Sequence, residues 1–316
     1  MSRSTDLVAR SEHNPILTVA DVPYPVATVH NPAAARLDDG STVLIFRSHL
    51  ANGRCILGRA DSRDGVRFDV HPEPWLVPAT EEPFATYEAF GVEDPRCTRI
   101  GDDFYITYSA YSRHGVRIGL ARTRDFETVE RVAFITECDH RNTVLFPELI
   151  DGDYVRFDRP HTELTPWSIW VSRSPDLVHW GRSVRVHCPE TYHWTSLKIG
   201  PGAPPIRTGA GWLHLFHGVY PTMSGSVYRL GVALHDIARP ETMLGVSDNW
   251  ILEPHDPWER VGYVPNVVFG SAALVEPDGD TLRVYWGGAD TVVCTGTVPL
   301  QALIDAALSG APTRTA

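Results

Sequence analysis

The chain has 316 residues, of which 43% are hydrophobic and 21% are charged, and its formal net charge at neutral pH is -11. This composition is typical of a globular protein with a sizeable core and excludes an intrinsically disordered chain. The acidic charge balance argues against general binding to nucleic acid or to anionic membranes, because both need a basic protein surface.

Five segments share one pattern: an apolar or alternating run, a turn with Gly and Asp or a second Gly, and a run rich in β-branched and aromatic residues. In chain order they are AAARLDDGSTVLIFRS (33–48), CTRIGDDFYITYSAYS (97–112), PELIDGDYVRFDRP (147–160), PPIRTGAGWLHLFHGVY (204–220) and AALVEPDGDTLRVYWGGAD (272–290). Glycine supplies the positive φ of a tight turn, and the flanking runs have strand composition. Each segment is therefore predicted to form a β-hairpin.

A further strand, a polar turn and another strand follow each of the first four hairpins, as in ILGRADSRDGVRFDV (56–70). After the fifth hairpin, VVCTGTVPLQALIDAAL (292–308) keeps the strand and then shows helical spacing, which predicts a short C-terminal helix. Four strands in each of five repeats predict an all-β protein, a five-bladed β-propeller that forms a single catalytic domain over residues 1–316. A β-sandwich with similar hairpins is the less favoured alternative.

The sequence contains no run of 18 or more apolar residues, and its first residues, MSRSTDLVARSEHNPILTV, include no apolar signal region. We therefore expect no membrane span, no secretory signal and a cytoplasmic location. Cysteines 55, 97, 138, 188 and 294 lack C-x-x-C spacing, and no His/Asp cluster has close ligand spacing, so neither a disulfide framework nor a metal site is expected.

Polar residues occur at strand ends in all five repeats, where apolar residues would be ordinary: Arg47, Asp94, Arg141, Asn142, Arg159, Lys198, His217, Tyr228 and Asp290. Taken singly, each is explained by a surface ion pair, a turn or a satisfied core position. Taken together, they would bury several cations near one another at one mouth of a propeller. Arginine and lysine with tyrosine and histidine donors suit an anion such as phosphate.

The sequence resembles glycoside hydrolase family 130, the mannoside phosphorylases and β-mannosidases. The motifs that carry the resemblance follow the family's order along nearly the whole chain: NPAAARL, GVEDPR, LFPELIDGDYVRFDRP, KIGPGAPPI, HGV, YRLGVALHD, ILEPHDPWERVGYVPNVVF and GGADT. The resemblance implies a five-bladed propeller in which Asp94 is the general acid and donates its proton through the 3-hydroxyl of the mannose. Inorganic phosphate then attacks the anomeric carbon with inversion and gives α-mannose 1-phosphate.

By the same resemblance, phosphate is held by Arg141, Asn142, Arg159, Lys198, His217 and Tyr228, and no cofactor is needed. The sugar is expected to contact Arg47, Tyr87, Glu93, Phe269 and Asp290, with Glu88 also near the cleft. Glu93 before the acid favours β-1,2 over β-1,4 linkages, although it could equally be a structural ion-pair partner of Arg96. The expected partners are a mannose-containing oligosaccharide and inorganic phosphate, without nucleic acid or membrane, and a homo-oligomer is left open.

Two alternatives remain at this point. The first is an inverting β-mannosidase on the same scaffold, in which Asp94 acts with a second carboxylate such as Glu93, Glu148 or Glu163. The second is a non-catalytic propeller that binds carbohydrate. A mannosidase would work without phosphate, and a non-catalytic protein would turn over no β-mannoside.

Overall fold

β-Strands form most of the regular structure in the computed structural model, which describes residues 6–161 and 166–310. In chain order the strands are β1 (Ala9–Arg10), β2 (His30–Arg36), β3 (Thr42–His49), β4 (Cys55–Ser62), β5 (Asp69–Val70), β6 (Gly91–Ile100), β7 (Asp103–Ser112), β8 (Gly115–Thr123), β9 (Glu130–Phe134), β10 (His140–Leu145), β11 (Tyr154–Pro160), β12 (Ile169–Ser174), β13 (Gly181–His187), β14 (Lys198–Pro201), β15 (Ile206–Arg207), β16 (Trp212–Thr222), β17 (Gly225–His235), β18 (Met243–Val246), β19 (Val268–Val275), β20 (Thr281–Gly288) and β21 (Val292–Pro299). The helices are a 3-10 turn (Val19–Asp21), α1 (Phe84–Tyr87), α2 (Pro257–Arg260) and α3 (Leu300–Ser309). The prediction of an all-β chain with a short C-terminal helix is confirmed, and no helix among the described residues is long and apolar enough to cross a membrane.

The strands form five antiparallel groups within four sheets. Strands β10–β13 form one sheet, β14 and β16–β18 form a second with β15 added to β16, and β19–β21 form a third that β1 completes. The fourth sheet joins β2–β5 to β6–β9 through a single parallel pair, Cys55 opposite Gly91. The five groups match the five predicted repeats, whereas their closure into a propeller stays a prediction.

Three predicted hairpins are confirmed as the pairs β2/β3, β6/β7 and β19/β20. In residues 147–160 the turn lies where it was expected, but the first strand, β10, already ends at Leu145. In residues 204–220 the first strand is only β15, and on this edge of β16 the longer partner is β14. Pro204 and Pro205 separate β14 from β15, and proline has no N–H to donate to a strand ladder.

Buried apolar side chains pack between neighbouring groups and hold them together. One cluster joins Leu213 and Leu230 of the fourth group to Val284 and Trp286 of the fifth, and α3 covers it with Leu303. Trp286 is fully buried, and its indole N–H donates to Glu259 at 3.0 Å, so the largest side chain of this cluster is also hydrogen-bonded. These contacts fix the groups relative to one another.

The first strands of the groups lie close together. Strand β2 is packed against both β6 and β19, β6 against β10, and β10 against β14. Residues far apart in sequence therefore meet where these strands converge, and that is where the candidate site lies.

Candidate active site

Three of these first strands contain a bulge with an Asn or Asp in the left-handed region of backbone conformation. The φ angles are 47° at Asn31, 50° at Asp94 and 58° at Asn142. The pairing register shifts at each of them, in β2, β6 and β10 respectively. Asn and Asp tolerate this conformation better than other side-chain-bearing residues, and bulges redirect side chains. A β-bulge of the same kind thus orients one polar side chain from each of three strand groups.

These side chains line one cavity of about 330 Å³. The lining residues are Asn31, Arg47, Asp94, Arg141, Asn142, Arg159, His161, Trp167, Lys198, His217, Tyr228, Val264, Val267, Phe269 and Asp290. The structure therefore brings together Asp94, all six residues expected to hold phosphate, and three of the five expected to contact the sugar.

Asp94 is held by two donors at one end of the cavity. Its Oδ1 accepts a hydrogen bond from Asn31 Nδ2 at 2.9 Å and from Arg47 Nη1 at 2.9 Å. Burial alone would raise the pKa of Asp94, but the charges of Arg47 and Arg96 and the Asn31 hydrogen bond outweigh burial and bring the pKa well below its usual range. The carboxyl group is therefore ionised at neutral pH in the protein alone.

Asp290 is a second carboxyl group in the cavity, at the end of β20, and it has φ 51°. Burial raises the pKa of Asp290 to about 6. The charge of Arg47 opposes this increase, whereas the charges of Asp94 and Glu93 add to it. The two carboxyl groups of the cavity are thus perturbed in opposite directions, an arrangement typical of sites that bind or transfer protons.

Three cations line the same cavity: Arg141, Arg159 and Lys198. Burial lowers the pKa of Arg159 to about 10. Burial and the charges of Arg159 and Arg141 lower the pKa of Lys198 to about 8. Neither Arg159 nor Lys198 forms an ion pair with a carboxylate within residues 6–161 and 166–310. Buried cations without acidic partners are costly, and an anionic ligand would relieve that cost.

Neutral donors and aromatic rings surround these cations. Arg159 Nη1 lies 3.0 Å from His217 Nε2, and because arginine can only donate, His217 must accept there and carry its proton on Nδ1. Burial, followed by the charge of Arg159, keeps the pKa of His217 well below its usual value. Lys198 Nζ lies 4.7 Å from the ring centre of Trp167 and 5.3 Å from that of Tyr228. We refer to Arg141, Asn142, Arg159, Lys198, His217 and Tyr228 as the anion cluster.

Glu93 bridges Arg47 and Arg141 and is not the ion-pair partner of Arg96. Its carboxylate lies 3.0 Å from Arg47 Nη2 and 3.4 Å from Arg141 Nη1. Arg96 instead donates to the backbone carbonyls of Asp94, Pro95 and Gly202. The alternative of a Glu93–Arg96 ion pair is therefore wrong, because the bulge after Glu93 directs the Arg96 side chain towards the end of β14.

Tyr87 and its neighbour Glu88 do not line the cavity. The Tyr87 ring packs against Phe134 at 5.2 Å, with the Arg117 guanidinium 4.8 Å above it. Glu88 is fully buried and accepts from the Tyr108 hydroxyl and from Arg131. These contacts assign both residues to the packing of the segment before β6, so their expected place in the cleft is corrected.

The carboxylates considered as a second catalytic group lie in different places. Glu148 pairs with Arg207 on the surface and does not line the cavity, and Glu163 lies outside the described residues. Glu93 is only 5% exposed and is occupied by two arginines. Among the described residues, the carboxyl groups that line the cavity are those of Asp94 and Asp290.

Sequence reasoning missed five lining residues: Asn31, His161, Trp167, Val264 and Val267. A signal for Asn31 was present, since Asn31-Pro32 occupies in the first repeat the place that Asp94-Pro95 occupies in the second. Trp167 and the two valines lie in ordinary apolar surroundings in the sequence, and only the folded chain places them at the cavity.

Comparison with known proteins agrees with this geometry. The model of glycoside hydrolase family 130, described as β-1,4-mannooligosaccharide phosphorylase, matches residues 4–308. The chain is 35% identical over 277 residues to a 1,2-β-oligomannan phosphorylase of Thermoanaerobacter sp., covering 84% of this chain and 88% of that protein. It is 32% identical over 305 residues to a β-1,4-mannooligosaccharide phosphorylase of Ruminococcus albus, covering 95% and 90%. The solved structure of a β-1,2-mannobiose phosphorylase from Listeria innocua superposes with a TM-score of 0.87 at 28% identity, covering 95% of this chain and 99% of that one.

Proposed function

The chain belongs to glycoside hydrolase family 130, and from this premise we propose that it is an inverting phosphorylase of short β-mannosides. Its products are α-D-mannose 1-phosphate and a sugar shortened by one mannose. Inorganic phosphate is the co-substrate, and the proposal includes no cofactor. We also propose that the five strand groups close as the blades of a single five-bladed propeller, which the adjacency of β2 to both β6 and β19 supports.

The anion cluster is the observation that carries the proposal. Arg159 is buried and Lys198 is half-buried in the cavity, both without a carboxylate partner in the described parts of the chain, and Arg141 lies beside them. Two guanidinium groups and an ammonium group match the charge and the donor requirements of a phosphate dianion. Asn142, His217 Nδ1–H and the Tyr228 hydroxyl supply further donors in the same cavity.

The reaction needs one nucleophile, one proton donor and room for a mannose between them. A phosphate oxygen attacks the anomeric carbon, and the bond from that carbon to the glycosidic oxygen breaks on the opposite face. Protonated Asp94 gives its proton to the 3-hydroxyl of the mannose, and this hydroxyl passes its own proton to the leaving oxygen. The attacking phosphate is already anionic, so no residue has to deprotonate it.

Asp94 must gain a proton before it can act as an acid, because Arg47 and Arg96 hold it ionised in the protein alone. Bound phosphate raises the pKa of Asp94, since its negative charge in the anion cluster offsets the positive potential that stabilises the Asp94 carboxylate. We therefore propose that phosphate and sugar bind before Asp94 is protonated. The low pKa of Asp94 then belongs to the free enzyme and not to the reacting complex.

Hydrolysis on the same scaffold is less well supported. An inverting hydrolase needs a second carboxylate that activates water on the face opposite the acid. Of the carboxyl groups that line the described cavity, Asp290 is the only one besides Asp94, and its charge acts on Arg47, as that of Asp94 does, and on Tyr228. The anion cluster contributes cations and no carboxylate, and cations would bind phosphate and would not activate water.

For the linkage, we propose β-1,2 in preference to β-1,4. The support is the Glu-Asp sequence at 93–94, together with relatives whose names include β-1,2-linked substrates. The relatives also include a β-1,4 enzyme, so the linkage has to be measured. Synthesis from α-mannose 1-phosphate and free mannose, followed by linkage analysis of the disaccharide, gives the answer directly.

The proposed activity is tested by incubating the enzyme with β-1,2-mannobiose in the presence and absence of inorganic phosphate. Mannose 1-phosphate formed only when phosphate is present supports phosphorolysis. Undiminished release of free mannose in phosphate-free buffer would favour the mannosidase instead. Lack of turnover of any β-mannoside in either direction would favour the non-catalytic alternative.

A further inference from the structure

A continuous row of contacts leads from the anion cluster to a solvent-exposed tyrosine. Glu93 joins Arg141 to Arg47, and the same Arg47 Nη2 that contacts Glu93 lies 3.1 Å from His49 Nε2. The His49 ring stacks on the ring of Tyr263, with a centroid distance of 5.1 Å and an interplanar angle of 29°. Tyr263 thus stands at the end of the row opposite to the anion cluster.

Tyr263 is exposed, yet its position is fixed. Its side chain is 66% exposed, while its backbone N–H donates to Thr291 Oγ1 at 2.9 Å. The next residue, Val264, donates to the Ala289 carbonyl at 3.1 Å and lines the cavity. Before it, Gly262 packs so closely that a Cβ would lie 2.5 Å from the Ala289 oxygen. An exposed aromatic ring on a fixed backbone beside a cavity is already ordered for a ligand.

His49 holds the ring in place. Arginine can only donate, so His49 Nε2 accepts from Arg47 and Nδ1 carries the proton that it donates to Thr28 Oγ1 at 2.8 Å. Behind it, the ring of His30 stacks at 5.2 Å. His49 therefore orients the arginine that binds Asp94 and also supports one face of Tyr263.

The chemistry of inversion decides which sugar lies at this end. In an inverting displacement the nucleophile and the leaving group occupy opposite faces of the anomeric carbon. With phosphate in the anion cluster, the leaving-group sugar points away from it, towards Arg47, His49 and Tyr263. The opposite rim has its own exposed aromatic, Tyr111, but Arg141 lies 5.7 Å over that ring, so Tyr111 belongs to the phosphate end.

On the premise of the proposed phosphorylase, we propose that Tyr263 forms the stacking surface for the leaving-group sugar, which is the acceptor in synthesis, and that His49 is its positioning residue. The ring of Tyr263 packs on the apolar face of a hexose, while its hydroxyl group stays available to a sugar hydroxyl. Acceptor recognition therefore depends on Tyr263, whereas recognition of mannose 1-phosphate does not.

The test is the synthetic reaction, in which phosphate release is measured from α-mannose 1-phosphate with mannose, glucose or N-acetylglucosamine as acceptor. Tyr263→Ala is expected to raise the KM for the best acceptor about 5- to 10-fold and to change the KM for mannose 1-phosphate less than twofold. Tyr263→Phe keeps the ring and should retain most of the acceptor affinity. Val261→Ala, on the same loop and 76% exposed, is the matched control and should leave both KM values unchanged.

The possible results separate the two proposals. If the unaltered enzyme releases no phosphate with any acceptor, the proposed phosphorylase fails and this inference falls with it. If the enzyme is active but Tyr263→Ala leaves the acceptor KM unchanged, or raises both KM values equally, only the inference is overturned. It is also overturned if Tyr111→Ala, and not Tyr263→Ala, produces the selective loss of acceptor affinity.

Discussion

Replacing Lys198 tests the anion cluster at its most easily titrated member. Lys198 is the only lysine in the sequence, the other 27 cationic side chains being arginine. Burial and the neighbouring arginines lower the pKa of Lys198 to about 8, so it is charged below that pH and loses its charge as the pH rises through it. About nine-tenths of the lysine is charged at pH 7 and about one-tenth at pH 9, so the KM for phosphate should rise about tenfold over that interval.

Lys198→Met should raise the phosphate KM at pH 7 by about 10- to 100-fold, the range expected for loss of a charge-assisted hydrogen bond. The rise in the phosphate KM between pH 7 and 9 should then disappear. Lys198→Arg is the matched control, because arginine stays charged over this range and should also give a flat profile. The assay is initial-rate phosphorolysis of β-1,2-mannobiose with varied phosphate at each pH. A flat profile in the unaltered enzyme, or the same rise in Lys198→Met, would refute the reasoning.

The remaining predictions concern the acid and the stability of the fold. Asp94→Asn should lower kcat about 10²- to 10⁴-fold, as expected for loss of a general acid; an essentially intact rate would remove Asp94 from its assigned role. Burial lowers the pKa of His187 to about 3 and of His235 to about 4. The unfolded chain therefore binds more protons below pH 6.5, and stability that is present above that pH is lost as the pH falls towards 4, by about 1.4 kcal/mol per pH unit for each histidine. Thermal unfolding at pH 7 and pH 5 checks this. The Tm should be lower at pH 5, and the Tm of His235→Phe should decrease less between the two pH values. A Tm independent of pH would contradict the reasoning.

Much of the fold could be predicted because strand period and turn chemistry are local properties of the sequence. The turn at Leu37–Ser41 and its flanking strands are an example, since Gly40 adopts the positive φ of 84° that the turn requires. The strand boundaries that were predicted wrongly depend on pairing with strands that are distant in the sequence. On one edge of β16, β14 is a longer neighbour than β15 because Lys198–Pro201 meets Val219–Phe216 in register, and no local pattern encodes that pairing.

Residues of the candidate site could be predicted where a polar side chain occurs among apolar neighbours in the sequence. Lys198 and His217 stood out as polar residues among apolar ones, and both line the cavity. For Glu93, the alternative of an ion pair with Arg96 rested on sequence proximity, whereas the bulge at Asp94 sends the two side chains to different partners. Trp167 and Val264 gave no such conflict, so only the assembled fold reveals them.

The central claim is that phosphate, and not water, attacks the mannoside. The most direct measurement follows a single reaction with β-1,2-mannobiose and inorganic phosphate by phosphorus and proton NMR. The proposed mechanism predicts that one phosphate is consumed for each glycosidic bond broken and that the first product is α-mannose 1-phosphate. Loss of the disaccharide with the phosphate signal unchanged, or formation of the β-anomer, would contradict it.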